Sequence, residues 1–169
     1  MRATIFDYGA GNLHSLAKAL EGDDVIVTVE ADPFRAIDTD VLVLPGVGAF
    51  GAAIDRLAQG RAAMRAAIVG GLPTIGICLG MQLLFEGSDE GAGDGLGILA
   101  GRVTRLDAKR VPQIGWNDVA PARADPLFLE SPLSIAYFAN SFVCRPDDEQ
   151  AVIAFRKNLV SELFVSRDG

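Results

Sequence analysis

Short apolar runs at residues 3–6, 25–29, 41–44 and 73–77 recur along the first half of this chain, each followed by a turn rich in glycine or proline. Helical patterns fill most of the space between them, at residues 12–20, 50–69 and 79–85. A strand that is apolar at nearly every position is buried on both faces. Strand–helix alternation supplies the crossovers that parallel neighbours require. The pattern predicts a parallel sheet with helices on both faces. Asn12 is placed to cap the first helix, where Leu13, Leu16, Ala17 and Leu20 fall on one face. In the 50–69 helix the expected core positions are Ile54, Leu57, Ala62, Met64 and Ile68.

After Phe85 the pattern changes. Residues 86–95 are glycine-rich and acidic, which predicts an exposed loop or lid, with Asp89, Glu90 and Asp94 as a solvated face. Beyond it come shorter strand-like runs at 99–106, 116–119, 135–138, 142–143 and 152–155. The expectation is one α/β domain over residues 1–169 whose C-terminal half turns mixed and antiparallel.

Charge and composition exclude several function classes. Fifteen Lys and Arg stand against twenty-two Asp and Glu, a formal net charge of −7. A chain this acidic lacks the cationic surface that phosphate backbones demand, so no nucleic-acid partner is expected. No apolar stretch reaches the ~20 residues of a membrane span, no secretory leader is recognisable, and a reducing cytoplasm is the expected compartment. Cys78 and Cys144 are the two cysteines and His14 the one histidine, which leaves no cysteine-rich or multi-histidine metal site. Gly9-x-Gly11 follows the first strand as in a dinucleotide fold, but position 14 carries His14 where that fingerprint needs glycine.

The stretch that carries chemistry is Gly76-Ile77-Cys78-Leu79-Gly80, set between a strand and a helix. It is the cysteine form of a nucleophile elbow. The turn forces the nucleophile into a strained backbone conformation, and the flanking glycines remove β-carbons that would collide. A helix N-terminus at Cys78 favours thiolate over thiol, and the Leu79 N–H would face the oxyanion formed on attack at a carbonyl. Pro45-Gly46-Val47-Gly48 ends a parallel strand at the same sheet edge and is the expected second donor loop. The alternative for Cys78 is a buried structural cysteine, and for the 45–48 segment an ordinary strand-to-helix turn.

These residues carry a resemblance. Asp7-Tyr8-Gly9-Ala10-Gly11-Asn12, Leu44-Pro45-Gly46-Val47-Gly48-Ala49-Phe50 and Gly76-Ile77-Cys78-Leu79-Gly80-Met81-Gln82 resemble motifs of the class I glutamine amidotransferases. So do Glu86-Gly87-Ser88-Asp89-Glu90, Gly95-Leu96-Gly97, Pro112-Gln113-Ile114-Gly115-Trp116-Asn117 and Tyr137-Phe138. The first and the tryptophan-containing motifs are similar to the glutaminases that serve imidazole glycerol phosphate synthesis in histidine biosynthesis. The likeness runs from the start to about Val143.

The resemblance implies a flavodoxin-like α/β fold and a reaction. Cys78 would attack the side-chain amide of glutamine to form a thioester, with ammonia passed to a (β/α)8 cyclase partner in a heterodimer. Gly46, Val47, Gly48 and the Leu79 N–H would hold the oxyanion and substrate, with Gln82 beside them. Asn12, Trp116 and Asn117 would lie at the cyclase-facing surface. The alternatives are a simple helix cap for Asn12 and a core aromatic for Trp116. No cofactor and no metal are implied.

One implied element is missing. The family's triad adds a histidine and a glutamate from a Phe-His-Pro-Glu-Lys stretch, which does not occur in these 169 residues. Asn140 stands before Ser141 where the family has histidine, and the segment between Arg145 and Gln150 is short. Residues 151–160 resemble the strand that leads to the missing stretch, and residues 161–169 match nothing in the family. His14 follows the first strand and does not occupy the catalytic position. Three readings stand in this order: a frameshifted or truncated copy without activity, a docking subunit without turnover, or a base lent by a partner.

Overall fold

A computed structural model describes residues 1–9, 11–130, 132–156 and 163–165. The expected parallel sheet is present. Strands β1 (Arg2–Phe6), β2 (Ile26–Glu30), β3 (Val41–Leu44) and β4 (Thr74–Gly76) pair in the order β2-β1-β3-β4, all parallel. Phe6, Leu42 and Leu44 point into one apolar cluster with the helices α3 (Phe50–Leu57) and α4 (Arg61–Val69). Phe50, Ile54, Leu57 and Met64 are buried there, as the helical spacing predicts. Ile68 is half-buried and packs against the cluster, whereas Ala62 is exposed, contrary to expectation.

Residues 50–69 form two helices rather than the single one expected. The break has a steric cause. A β-carbon on Gly60 would overlap the ring of Pro33, which opens the short helix α2 (Pro33–Ala36). Only glycine permits that approach, and glycine is a poor helix interior residue. Helix α1 (Leu13–Leu20) begins where predicted: the Asn12 side chain accepts the Ser15 N–H at 3.1 Å.

Helix α5 (Leu79–Gln82) is also shorter than the pattern suggests. Its last turn tightens, with Leu84 N–H on Met81 and Phe85 N–H on Gln82, and the Glu86 N–H donates to Gly101 of another segment, which also takes up the carbonyls that follow. Leu96 N–H donates to Leu83 at 2.7 Å, Ile98 N–H to Leu84 at 2.8 Å and Gly97 N–H to Phe85 at 3.1 Å. Non-local backbone partners thus end a helix whose side chains would have allowed it to run on.

The acidic segment is more ordered than a free loop. β5 (Gly87–Ser88) is buried and pairs parallel with β6 (Gly101–Arg105). Asp89 is in ion-pair contact with Arg102 at 2.9 Å and Asp94 with Arg61 at 3.5 Å. The strand pairs that follow are antiparallel, so the second half is mixed and antiparallel as expected. β6 pairs with β9 (Phe142–Pro146), and β7 (Gln113–Pro121) pairs with β8 (Ile135–Asn140) and β10 (Val152–Arg156). β11 (Leu163–Val165) adds to β10. Helix α6 (Pro126–Glu130) lies in the β7–β8 connection. Residue 10 of the first motif, residues 157–160 and the tail positions 161–162 and 166–169 lie outside the described residues.

Candidate active site

Three loops leave the same edge of the parallel sheet and meet. Cys78 follows β4 and sits at φ 50°, ψ −105°. Among the described residues it is the non-glycine residue with positive φ. An L-residue is held in that region only when its surroundings over-determine it. The surroundings are visible in the glycines. A β-carbon on Gly76 would stand 2.8 Å from the Met81 backbone, and one on Gly80 would overlap the Leu44 carbonyl. The elbow is therefore folded tightly on itself and pressed onto the end of β3. Hydrogen bonds hold it there: Ile77 N–H to Leu44 at 3.0 Å, Gly80 N–H to Ile77 at 2.9 Å and Gln82 N–H to Cys78 at 3.1 Å.

The loop after β3 closes on the elbow from one side. A β-carbon on Gly46 would lie 2.6 Å from the Ile77 carbonyl oxygen and 3.2 Å from the Cys78 β-carbon. Val47 is exposed, and Gly48 adopts φ 134°, a conformation suited to glycine. The loop after β1 touches the loop after β3 in turn, with Gly11 placed so that a β-carbon would sit 3.7 Å from that of Val47. The structure thus brings Cys78, Leu79, Gln82 and the 46–48 loop together, all of which the sequence singles out.

The thiol's electrostatics differ from expectation. Although Cys78 reaches solvent, the protein around it desolvates the sulfur and pushes its pKa up. The Leu79 N–H pulls the other way, and the Glu90 carboxylate adds to the rise. The dipole of a helix only four residues long is too small to reverse this balance. Glu90 is the residue that sequence reasoning placed on a solvated face; its charge in fact acts on Cys78. Only the fold of the 86–95 segment, with Gly91 against Gly51 and Gly93 against Ile54 of α3, could have shown that. Cys144, in β9, is buried against Phe85, Leu99 and Val103, and burial there lifts its pKa to about 12.

Two further polar groups lie under the elbow. Tyr8, just after β1, is buried in the cluster that holds Leu79 and Leu83. Its hydroxyl and the Gln82 Oε1 are both buried without a hydrogen-bond partner among the described residues. His14 lies exposed on α1.

Trp116 and Asn117 do not share one face of the β7–β8 ribbon. Trp116 is 68% exposed on β7 and meets Tyr137 of β8 edge to face, with centroids 5.5 Å apart. It is no core aromatic. Asn117 points to the opposite side of the ribbon, half-buried, and its Nδ2 donates to Gly115 at 2.9 Å. Asn12 is exposed and caps α1.

Comparison with known proteins places this geometry. The family model described as glutamine amidotransferase class-I matches residues 4–163. The chain is 45% identical over 158 residues to the imidazole glycerol phosphate synthase subunit HisH of Symbiobacterium thermophilum, covering 90% of this chain and 74% of that one. It is 42% identical over 168 residues to the subunit of the same name from Pyrococcus furiosus, covering 98% and 83%. A solved structure described as a glutamine amidotransferase superposes with a TM-score of 0.72 at 17% identity, covering 93% of this chain and 81% of that one. The sheet, the elbow and the sequence agree: the chain belongs to the class I glutamine amidotransferase family.

Proposed function

We propose that this chain is the glutaminase subunit of an imidazole glycerol phosphate synthase, hydrolysing glutamine through Cys78 and passing ammonia to a (β/α)8 cyclase in a cytoplasmic heterodimer. The observation that carries the reading is the strained elbow at Cys78 pressed against the Gly46 loop. A nucleophile held rigidly beside backbone N–H groups is what acyl transfer to sulfur requires.

The Cys78 Sγ, once deprotonated, adds to the δ-carbonyl carbon of glutamine. The carbonyl electron pair moves to oxygen, and that oxyanion is held by the Leu79 N–H and the Gly46–Val47–Gly48 loop. Collapse restores the carbonyl, breaks the C–N bond and releases ammonia after the nitrogen takes a proton. Water then adds to the thioester, glutamate leaves and the thiol regains its proton. Gln82, one helical turn after Cys78, holds the substrate. The Trp116–Tyr137 pair supports a docking surface for the cyclase, because exposed aromatics of this kind anchor interfaces. In this reading Asn12 lies at the cyclase-facing surface, and Asn117 braces the ribbon from the side opposite Trp116.

A second reading rests on the raised thiol pKa and on the exposed position of the sole histidine. A glutaminase lacking its base loses about 10²–10⁴-fold in rate, and the chain would then serve as a docking subunit. Ammonia release from glutamine in the presence of the cyclase and its substrate, against Cys78→Ala, separates the two. Release that vanishes in the variant supports turnover. A complex that forms without release supports docking.

A further inference from the structure

Tyr8 is a tyrosine whose whole side chain is inside the protein, 4% exposed, with its hydroxyl buried and unpartnered among the described residues. A buried phenol without a partner is costly, and so is a buried amide oxygen. Gln82, 8% exposed, supplies that second orphan at its Oε1. The two belong to one region. Tyr8 packs in the cluster formed with Leu79 and Leu83, and Gln82 lies between these two in the chain. The chemistry is complementary, since a phenol O–H donates and an amide oxygen accepts. Among the described residues the other buried polar side chains are Thr4, Ser88 and Asp125; Thr4 bonds to Thr28 and Thr39, and Ser88 accepts from the Glu90 N–H.

We infer that Tyr8 is a positioning residue for the glutamine site, its buried hydroxyl pairing with Gln82 Oε1 directly or through one enclosed water when substrate binds. The inference rests on the reading of Gln82 as a substrate-holding residue. An amide side chain can flip end for end, offering either oxygen or nitrogen outward. A donor fixed beneath Gln82 removes that ambiguity: Oε1 stays inward, and the NH₂ group is turned towards the substrate. Tyr8 reports the same neighbourhood electrically, because burial and the Cys78 sulfur both drive its pKa upward, keeping the phenol protonated and able to donate.

The test is a double-mutant cycle on the full chain, using Tyr8→Phe, Gln82→Ala and the pair. The probe is L-glutamine, and the readout is its protection of Cys78 against iodoacetamide, taken as a ratio with and without glutamine in each variant. This ratio cancels changes in intrinsic thiol reactivity and needs no turnover. Thermal unfolding of each variant shows that it is folded. Tyr8→Phe is expected to weaken protection by about five- to tenfold, the worth of one hydrogen bond. In the Gln82→Ala background the same change is expected to add nothing. An equal effect of Tyr8→Phe in both backgrounds, or none in either, overturns the inference while leaving Gln82 in its role. Protection that survives Gln82→Ala unchanged, or is absent from the unmodified chain, overturns the role of Gln82 and the inference with it.

Discussion

Replacing Gly80 by alanine tests the fit on which the site depends. The added β-carbon would overlap the Leu44 carbonyl oxygen and stand 2.8 Å from the Leu44 β-carbon, where ordinary contact begins near 3.4 Å. Leu44 is fully buried, and its carbonyl already accepts the Ile77 N–H at 3.0 Å, so it cannot turn aside. The elbow must instead retreat from β3 by on the order of 1 Å, loosening that hydrogen bond and lifting Leu79 and Leu83, both buried, from the core. Overpacking costs about 1–3 kcal/mol and a lost hydrogen bond about 1 kcal/mol, so a destabilisation of about 3 kcal/mol is expected. Urea denaturation reads this as a midpoint lowered by about 1–2 M at unchanged slope. Gly51→Ala is the counterpart. Its β-carbon would meet only the Ala92 carbonyl oxygen, at 3.8 Å, inside helix α3, so a gain of about 0.5–1 kcal/mol is expected. A Gly80→Ala unfolding free energy within ~0.5 kcal/mol of the parent chain would refute the close packing of elbow and strand.

Glu90→Gln removes a carboxylate that raises the Cys78 pKa, so alkylation of Cys78 at neutral pH should become faster and its pH profile shift to lower pH; an unchanged profile would detach Glu90 from the site. Cys144 is held at about 12 in the folded chain, whereas an unfolded thiol ionises near 8.5. The folded state favours the protonated form, so this contribution is fully present below about pH 8.5 and lost as pH rises towards 12, by ~1.4 kcal/mol per pH unit. Cys144→Ala should flatten the alkaline fall in stability measured by urea titrations between pH 8.5 and 10.5, and an identical slope would contradict it. Trp116→Ala should weaken cyclase binding by at least about 2 kcal/mol in calorimetry while unfolding stays within ~0.5 kcal/mol of the parent, because the ring is exposed in the free chain. Equal loss of binding and stability would make Trp116 a structural residue.

The parallel sheet was legible because β3 and the end of β1 read as unbroken apolar runs, and such runs have few other uses. The elbow was legible because Gly76, Cys78 and Gly80 serve one local turn, and local geometry is written in adjacent residues. Helix ends were less so. No residue type near Gln82 marks the stop of α5, since the Glu86 N–H is drawn to Gly101, and Leu96, Gly97 and Ile98 occupy the carbonyls beyond. The break at Gly60 likewise depends on Pro33, far away in sequence.

The amino-acid order by itself determined the strand–helix alternation, the cap at Asn12 and the nucleophile turn at Cys78, because each rests on contacts within a few residues. The tertiary structure alone decided what surrounds the sulfur. Burial and Glu90 raise its pKa against the pull of Leu79, Tyr8 packs in one cluster with Leu79 and Leu83, and Trp116 is left 68% exposed. Desolvation and field effects come from all neighbours in space, and those neighbours are set by packing between segments that no local pattern encodes.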